Sequence, residues 1–182
     1  MKSRNIVVSA VIGVVIGILI VLTVILFTRM IKGNNKKLNP MEVTYEIVSD
    51  EVVITGLTDW GNELINIEIP DTIENLPVTE IADNAFDSKT KIENITLPEG
   101  LKRIGNRSFY NCCNLSSLKL PNSLVYVGSE CFAGIGAQTI TFPRNMVSIG
   151  INACLGIKKV YYYEGMVNGE PWGASEVEIL TD

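Results

Sequence analysis

LPEGLKRIGNRSFYNCCNLSSLKL, residues 97–120, decides the fold, because its landmarks return at a fixed interval on both sides of it. Ile81, Ile104, Val127 and Ile149 lie 23, 23 and 22 residues apart, and Phe86, Phe109, Phe132 and Cys154 keep the same three spacings. Pro98, Pro121 and Pro143 follow at 23 and 22, each behind a large apolar residue (Leu97, Leu120, Phe142). Ala82, Gly105, Gly128 and Gly150 fall in register too. Several residue classes locked to one short period identify stacked repeats, in which a unit buries its apolar face only against its neighbours.

Within a unit, Ile95 and Leu97, Leu118 and Leu120, and Ile140 and Phe142 alternate with Thr96, Lys119 and Thr141, the period-two pattern of a short half-buried strand. Each unit is therefore read as one rung of a parallel sheet. The proline behind the rung has no N–H to donate, so it ends the ladder and turns the chain. A second extended segment follows: Val78 to Ile81, Leu101 to Ile104, Leu124 to Val127 and Met146 to Ile149. Its ends are read as core and its middle two residues as solvent-facing. The small residue after it allows close backbone approach, and the Phe beyond plugs the interior. Roughly five or six buried side chains per unit, at about 1.5–3 kcal/mol each, count only once neighbours stack.

These residues resemble the BspA-like subtype of leucine-rich repeat, over roughly Ile67 to Tyr163. The resemblance implies a mainly β protein, a short parallel-β leucine-rich repeat solenoid, and a non-enzymatic interaction module of the kind displayed on bacterial surfaces. It does not extend to the common receptor-type repeat, Leu-x-x-Leu-x-Leu-x-x-Asn, since proline stands here near the Asn position. The tyrosine-rich strand leading to Trp172-Gly173-Ala174 also resembles the terminal unit of the family.

Around the solenoid at 67–163 the chain divides into a tail (1–5), a transmembrane helix (6–27), a linker (28–40), an N-terminal β cap (41–66) and a C-terminal cap (164–182). Ile6 to Phe27 is an uncharged run of 22 residues, which as a helix spans about 33 Å against a hydrocarbon core of about 30 Å. It is longer than a signal-peptide core, and no small-x-small cleavage site follows. In the cap, alternating Met41, Val43, Tyr45 and Ile47, a turn at Ser49-Asp50-Glu51 and then Val52 to Thr55 predict a β-hairpin covering the sheet edge. At the far end Val160 to Tyr163 reads as a last rung, Trp172 as a cover for the core and Val177 to Leu180 as a closing strand.

Two arguments about orientation conflict. Lys2 and Arg4 precede the helix while Arg29, Lys32, Lys36 and Lys37 follow it, so the positive-inside count favours a cytoplasmic domain. The family resemblance implies the outside of the cell, and that is the expectation adopted. Ser9, Gly13 and Gly17 form a small-xxx-small stripe, a candidate face for a homodimer, although glycine is common in membrane helices without that role.

All 20 acidic residues lie from Glu42 onward, with nine of the 15 basic ones, so the domain carries 9 − 20 = −11. Such a surface argues against nucleic acid as a partner. The chain has no histidine, hence neither the usual general base nor the commonest metal ligand. No phosphate-binding glycine motif occurs, and the carboxylates are scattered, so no catalytic residue, metal site or cofactor is expected. Cys112, Cys113, Cys131 and Cys154 lack metal-ligand or disulfide spacing. They read as buried apolar thiols, except that adjacent Cys112 and Cys113 cannot both point inward.

Repetition places any binding surface. Glu68, Thr96, Lys119, Thr141 and Tyr162 are expected in one outward column and Glu80, Arg103, Tyr126 and Ser148 in another, continuous at about 4.8 Å per unit. Lys102, Arg103 and Tyr126 form the most interaction-like group. With Lys119, Thr141 and Tyr162 they make the candidate surface for a protein or glycan partner, against the plainer reading of a solvated face. The alternatives to a surface module are a structural or assembly subunit that pairs through its transmembrane helix, and a cytoplasm-facing scaffold.

Overall fold

A computed structural model describes residues 36–37, 42–165 and 172–181. The apolar run at 6–27 and its Ser9, Gly13 and Gly17 stripe lie outside them. Among the described residues no helix is long and apolar enough to cross a membrane. Among the described residues the regular structure is almost entirely short strands joined by turns: β1 (Lys36–Lys37), β2 (Val43–Val48), β3 (Glu51–Leu57), β4 (Asn66–Glu68), β5 (Thr72–Ile73), β6 (Leu76–Ile81), β7 (Asn94–Thr96), β8 (Arg103–Ile104), β9 (Tyr126–Val127), β10 (Thr139–Thr141), β11 (Ser148–Ile149), β12 (Lys159–Tyr163) and β13 (Glu176–Leu180).

Two-residue turns open the fold. Ser49 and Asp50 sit at φ 52° and 62° between β2 and β3, and Glu74 and Asn75 at 52° and 65° between β5 and β6. Two successive positive φ values match the right-handed twist of the strands they join, which fixes each antiparallel register. From β3 onward the second segments stack in parallel, in the order β2-β3-β6-β8-β9-β11. Their first and last residues (Val78 and Ile81, Leu101 and Ile104, Leu124 and Val127) are fully buried.

The phenylalanines run down the axis of the coil. Phe86 and Phe109 stack at 5.2 Å, Phe109 and Phe132 at 6.1 Å. Cys154 takes the next place, and Trp172 follows, its ring edge-on to Phe142 at 5.6 Å and to Tyr162 at 5.4 Å. Each plug is tied to the next coil by its own backbone: Phe86 N–H donates to Ser108 O, Phe109 N–H to Cys131 O and Phe132 N–H to Ala153 O, at 2.8–2.9 Å. A side-chain ladder runs beside them. Asp83 Oδ1 accepts the Asn106 N–H at 2.7 Å, and Asn106 Oδ1 accepts the Ser129 N–H at 2.8 Å. A polar ladder thus exists, displaced from the position where the common leucine-rich repeat carries its asparagine.

The rungs depart from expectation. β1, β4 and β7 form one three-stranded parallel sheet, and β10, β12 and β13 form another. The third rung, Leu118 to Leu120, joins neither; among the described residues its unit is linked to β7 by a bridge between Asn94 and Ser117. Phe109 to Leu118 is nine residues and Phe132 to Ile140 eight, yet both rungs keep the same buried alternation, Leu118 and Leu120 in one and Ile140 and Phe142 in the other.

Candidate functional site

The sheet of second segments carries a row of paired charges. Register aligns Glu80, Arg103, Tyr126 and Ser148 as expected. Arg103 Nε donates to Glu80 Oε1 at 2.8 Å, and its guanidinium lies 4.0 Å from the centre of the Tyr126 ring. Lys102 Nζ donates to Glu51 Oε1 at 2.6 Å while Thr79 Oγ1 donates to Glu51 Oε2 at 2.8 Å. Those two hydrogen bonds, Lys102 first, hold the Glu51 carboxyl below its ordinary pKa. Four residues further along the same coil, Arg107 bridges Asp87 and Glu130, each at 3.2 Å, and stacks 3.8 Å from the Tyr110 ring. Lys102, Arg103 and Tyr126 are thus brought together, but each cation there is already answered by a carboxylate of this chain.

Lys119 and Thr141 lie elsewhere, on the rung side. Between the stranded third rung and β10 opens a groove of about 570 Å³, whose lining includes Ser117, Lys119, Thr139, Thr141, Arg144 and Tyr163. Lys119, Thr139 and Thr141 are exposed. The Arg144 guanidinium lies 4.3 Å from the centre of the Tyr163 ring. No carboxylate lines this groove.

Tyr162 corrects the expectation. It is buried, 6 % exposed, against Trp172. The β10–β12 register pairs Thr141 with Tyr161, so Tyr162 falls in the slot of buried Phe142, and Tyr161 and Tyr163 take the outward places. Residues 161–163 are all tyrosine, so no apolar–polar alternation marks the inward one. Arg144 was missed for a related reason. It occupies the position after a rung proline, held by Glu99 and Asn122 in earlier units, and only the folded chain sets it beside Lys119.

The cysteines divide cleanly. Cys112, Cys131 and Cys154 are buried and Cys113 is exposed. Burial pushes the Cys112 and Cys154 thiols up to about 12 and raises Cys131 well above its usual value. Such thiols are unreactive at neutral pH. Among the described residues no group of three or more Cys, Asp or Glu could hold a metal ion. The surfaces can pair charges, stack rings and donate or accept hydrogen bonds.

A stack of parallel strands with side chains in register is the architecture of a leucine-rich repeat solenoid. Residues 79–164 match the BspA type leucine rich repeat region in six copies, and this segment is similar to that family. Among solved structures, the leucine rich repeat protein of T. pallidum is similar at 23% identity, with a TM-score of 0.57 over 78% of this chain and 81% of that one. A leucine-rich repeat protein from Bacteroides ovatus aligns at 22% identity and a TM-score of 0.47, over 75% of this chain and 51% of that one. No curated protein matches the chain.

Proposed function

We propose that the chain is a membrane-anchored, non-enzymatic interaction module that presents its solenoid outside a bacterial cell and binds a protein or glycan partner by surface complementarity. The observation that carries this reading is the register of the coil. Parallel stacking holds aromatic, cationic and hydroxyl side chains in rows, on a backbone tied coil to coil by hydrogen bonds. A surface organised in that way costs little further ordering when a partner docks. The uncharged run at 6–27 supplies the anchor. A second reading, a cytoplasm-facing scaffold, is favoured by Arg29, Lys32, Lys36 and Lys37 behind that run.

Native Cys113 separates the two. Three of the four thiols are buried, so intact cells treated with a membrane-impermeant maleimide should take label at Cys113 alone, and Cys113→Ser should abolish it. Labelling of intact cells is the expected result. Labelling only after lysis would put the solenoid in the cytoplasm and replace surface display with the scaffold.

A further inference from the structure

The large apolar side chains that remain exposed gather at the two ends of the stack. Ile47, Val48, Trp60 and Ile65 belong to β2 and to the stretch between β3 and β4, at the near end. Val147, Ile151, Leu155, Val177 and Ile179 belong to the last coil and to β13, at the far end. Between Ile65 and Val147 no large apolar side chain is exposed.

The far end is apolar at a position that is polar inside the stack. Ile151, 77 % exposed, stands where Asp83, Asn106 and Ser129 stand in earlier coils, in line with the ladder of side chains that those residues build. Val177 and Ile179 lie opposite Val160 and Tyr162, both buried, so they present the core-facing side of the sheet on its outermost strand. A terminal coil ordinarily turns a polar face outward; this one turns an apolar face. The near end answers it with Trp60, 78 % exposed, in the first coil.

Strand edges are open at both ends as well. β1 and β2 lie outermost at the near end and β11 and β13 at the far end, each at the limit of its sheet. Such edges match a partner that has backbone groups of its own to offer. Charge along the outer rungs is complementary. β1 consists of Lys36 and Lys37, whereas β13 carries Glu176 and Glu178, against which β12 sets one cation, Lys159, 2.6 Å from Glu178. On a domain of net charge 9 − 20 = −11 copies repel one another in general, so an acidic edge and a lysine edge set the pair of surfaces at which they can meet.

We propose that the solenoid associates head to tail with further copies of itself, the far end of one copy, with β11 and β13, seated on the near end of the next, with β1 and β2. Apolar surface confined to two different ends, each with open edges, makes a heterologous contact that is not used up at a dimer. This goes beyond the reading of the chain as an interaction module, and it holds on whichever side of the membrane the solenoid lies.

The full chain in detergent micelles is followed by sedimentation velocity over a range of concentrations. Dimers and larger species that grow with concentration are expected. Two double variants each block one end: Ile47→Lys with Trp60→Lys at the near end, and Ile151→Lys with Val177→Lys at the far end. All four positions are exposed, so the fold is kept, as far-UV circular dichroism checks. Each variant alone should sediment as monomer, because a lysine would be buried in the contact without a partner. Mixed in equal amounts, the two should form dimers and nothing larger, since one intact end of each kind remains. The proposal is overturned by a wild type that stays monomeric at every concentration, or by a mixture of the variants that does so. Loss of association in one variant alone also overturns it, marking a twofold contact between like ends. So does association that survives in both, which would assign the contact to the apolar run at 6–27. Labelling at Cys113 reports surface display independently, so a failed assembly assay with the solenoid outside the cell removes self-association and leaves the module.

Discussion

Gly128 shows how closely one residue can govern the stacking of coils. A Cβ built there would meet the Asn106 N–H nitrogen, the Gly105 carbonyl carbon at 2.5 Å and the Asn106 Cα at 2.7 Å. All three belong to the backbone of the preceding coil, so no side chain can swing aside. Gly105 and Gly150 meet the backbone of their own preceding coils in the same way. Gly128→Ala should therefore cost about 1–3 kcal/mol by overpacking, measured as a lower denaturant midpoint with little change in slope. An unchanged midpoint would mean that the coils are not in such close approach. The small residue after each second segment was legible in the sequence because it recurs at the period. The left-handed residues just beyond it were not. Asn84, Arg107, Glu130 and Asn152 all take φ between 53° and 59°, yet only two of them are asparagine, and Arg and Glu carry no signal for that conformation.

At the scale of elements, the N-terminal hairpin is fastened to the solenoid through Glu51. That carboxylate, at the start of β3, accepts from Thr79 of β6 and from Lys102 beside β8, and so ties together three coils' worth of chain. Its pKa is lowered by those partners, so ionised Glu51 favours the folded state above the pKa of the unfolded chain, about 4.3, and the contribution disappears as pH falls through the depressed folded value. Glu51→Gln should accordingly lower Tm at neutral pH, and the difference from wild type should shrink on acidification below the ordinary carboxylate range. A Tm difference that persists unchanged at low pH would assign the effect to packing instead. The hairpin itself was readable from alternation and turn residues, because its signals are local. The Glu51–Lys102 pair joins positions 51 residues apart and leaves no trace in local pattern.

Over the whole molecule, the two sides of the coil differ in continuity. The second segments stack without a break from β2 to β11, while the rungs fall into two sheets separated at the third unit. The repeat itself was evident from Ile81, Phe86, Pro98 and their successors. The break was not, because the third rung carries the same alternation and the same following proline as the rungs that pair. Hence the groove containing Lys119, Thr141, Arg144 and Tyr163 is a product of assembly.

The open rung ladder is the central structural claim, and native-state hydrogen exchange of the full chain tests it at single residues. The account predicts that the Ile140 amide, bonded to β12, is strongly protected, while the Thr139 and Thr141 amides on either side exchange at rates near those of exposed loops. Equal protection at all three would contradict it, since the third rung would then be paired to β10 and the groove closed.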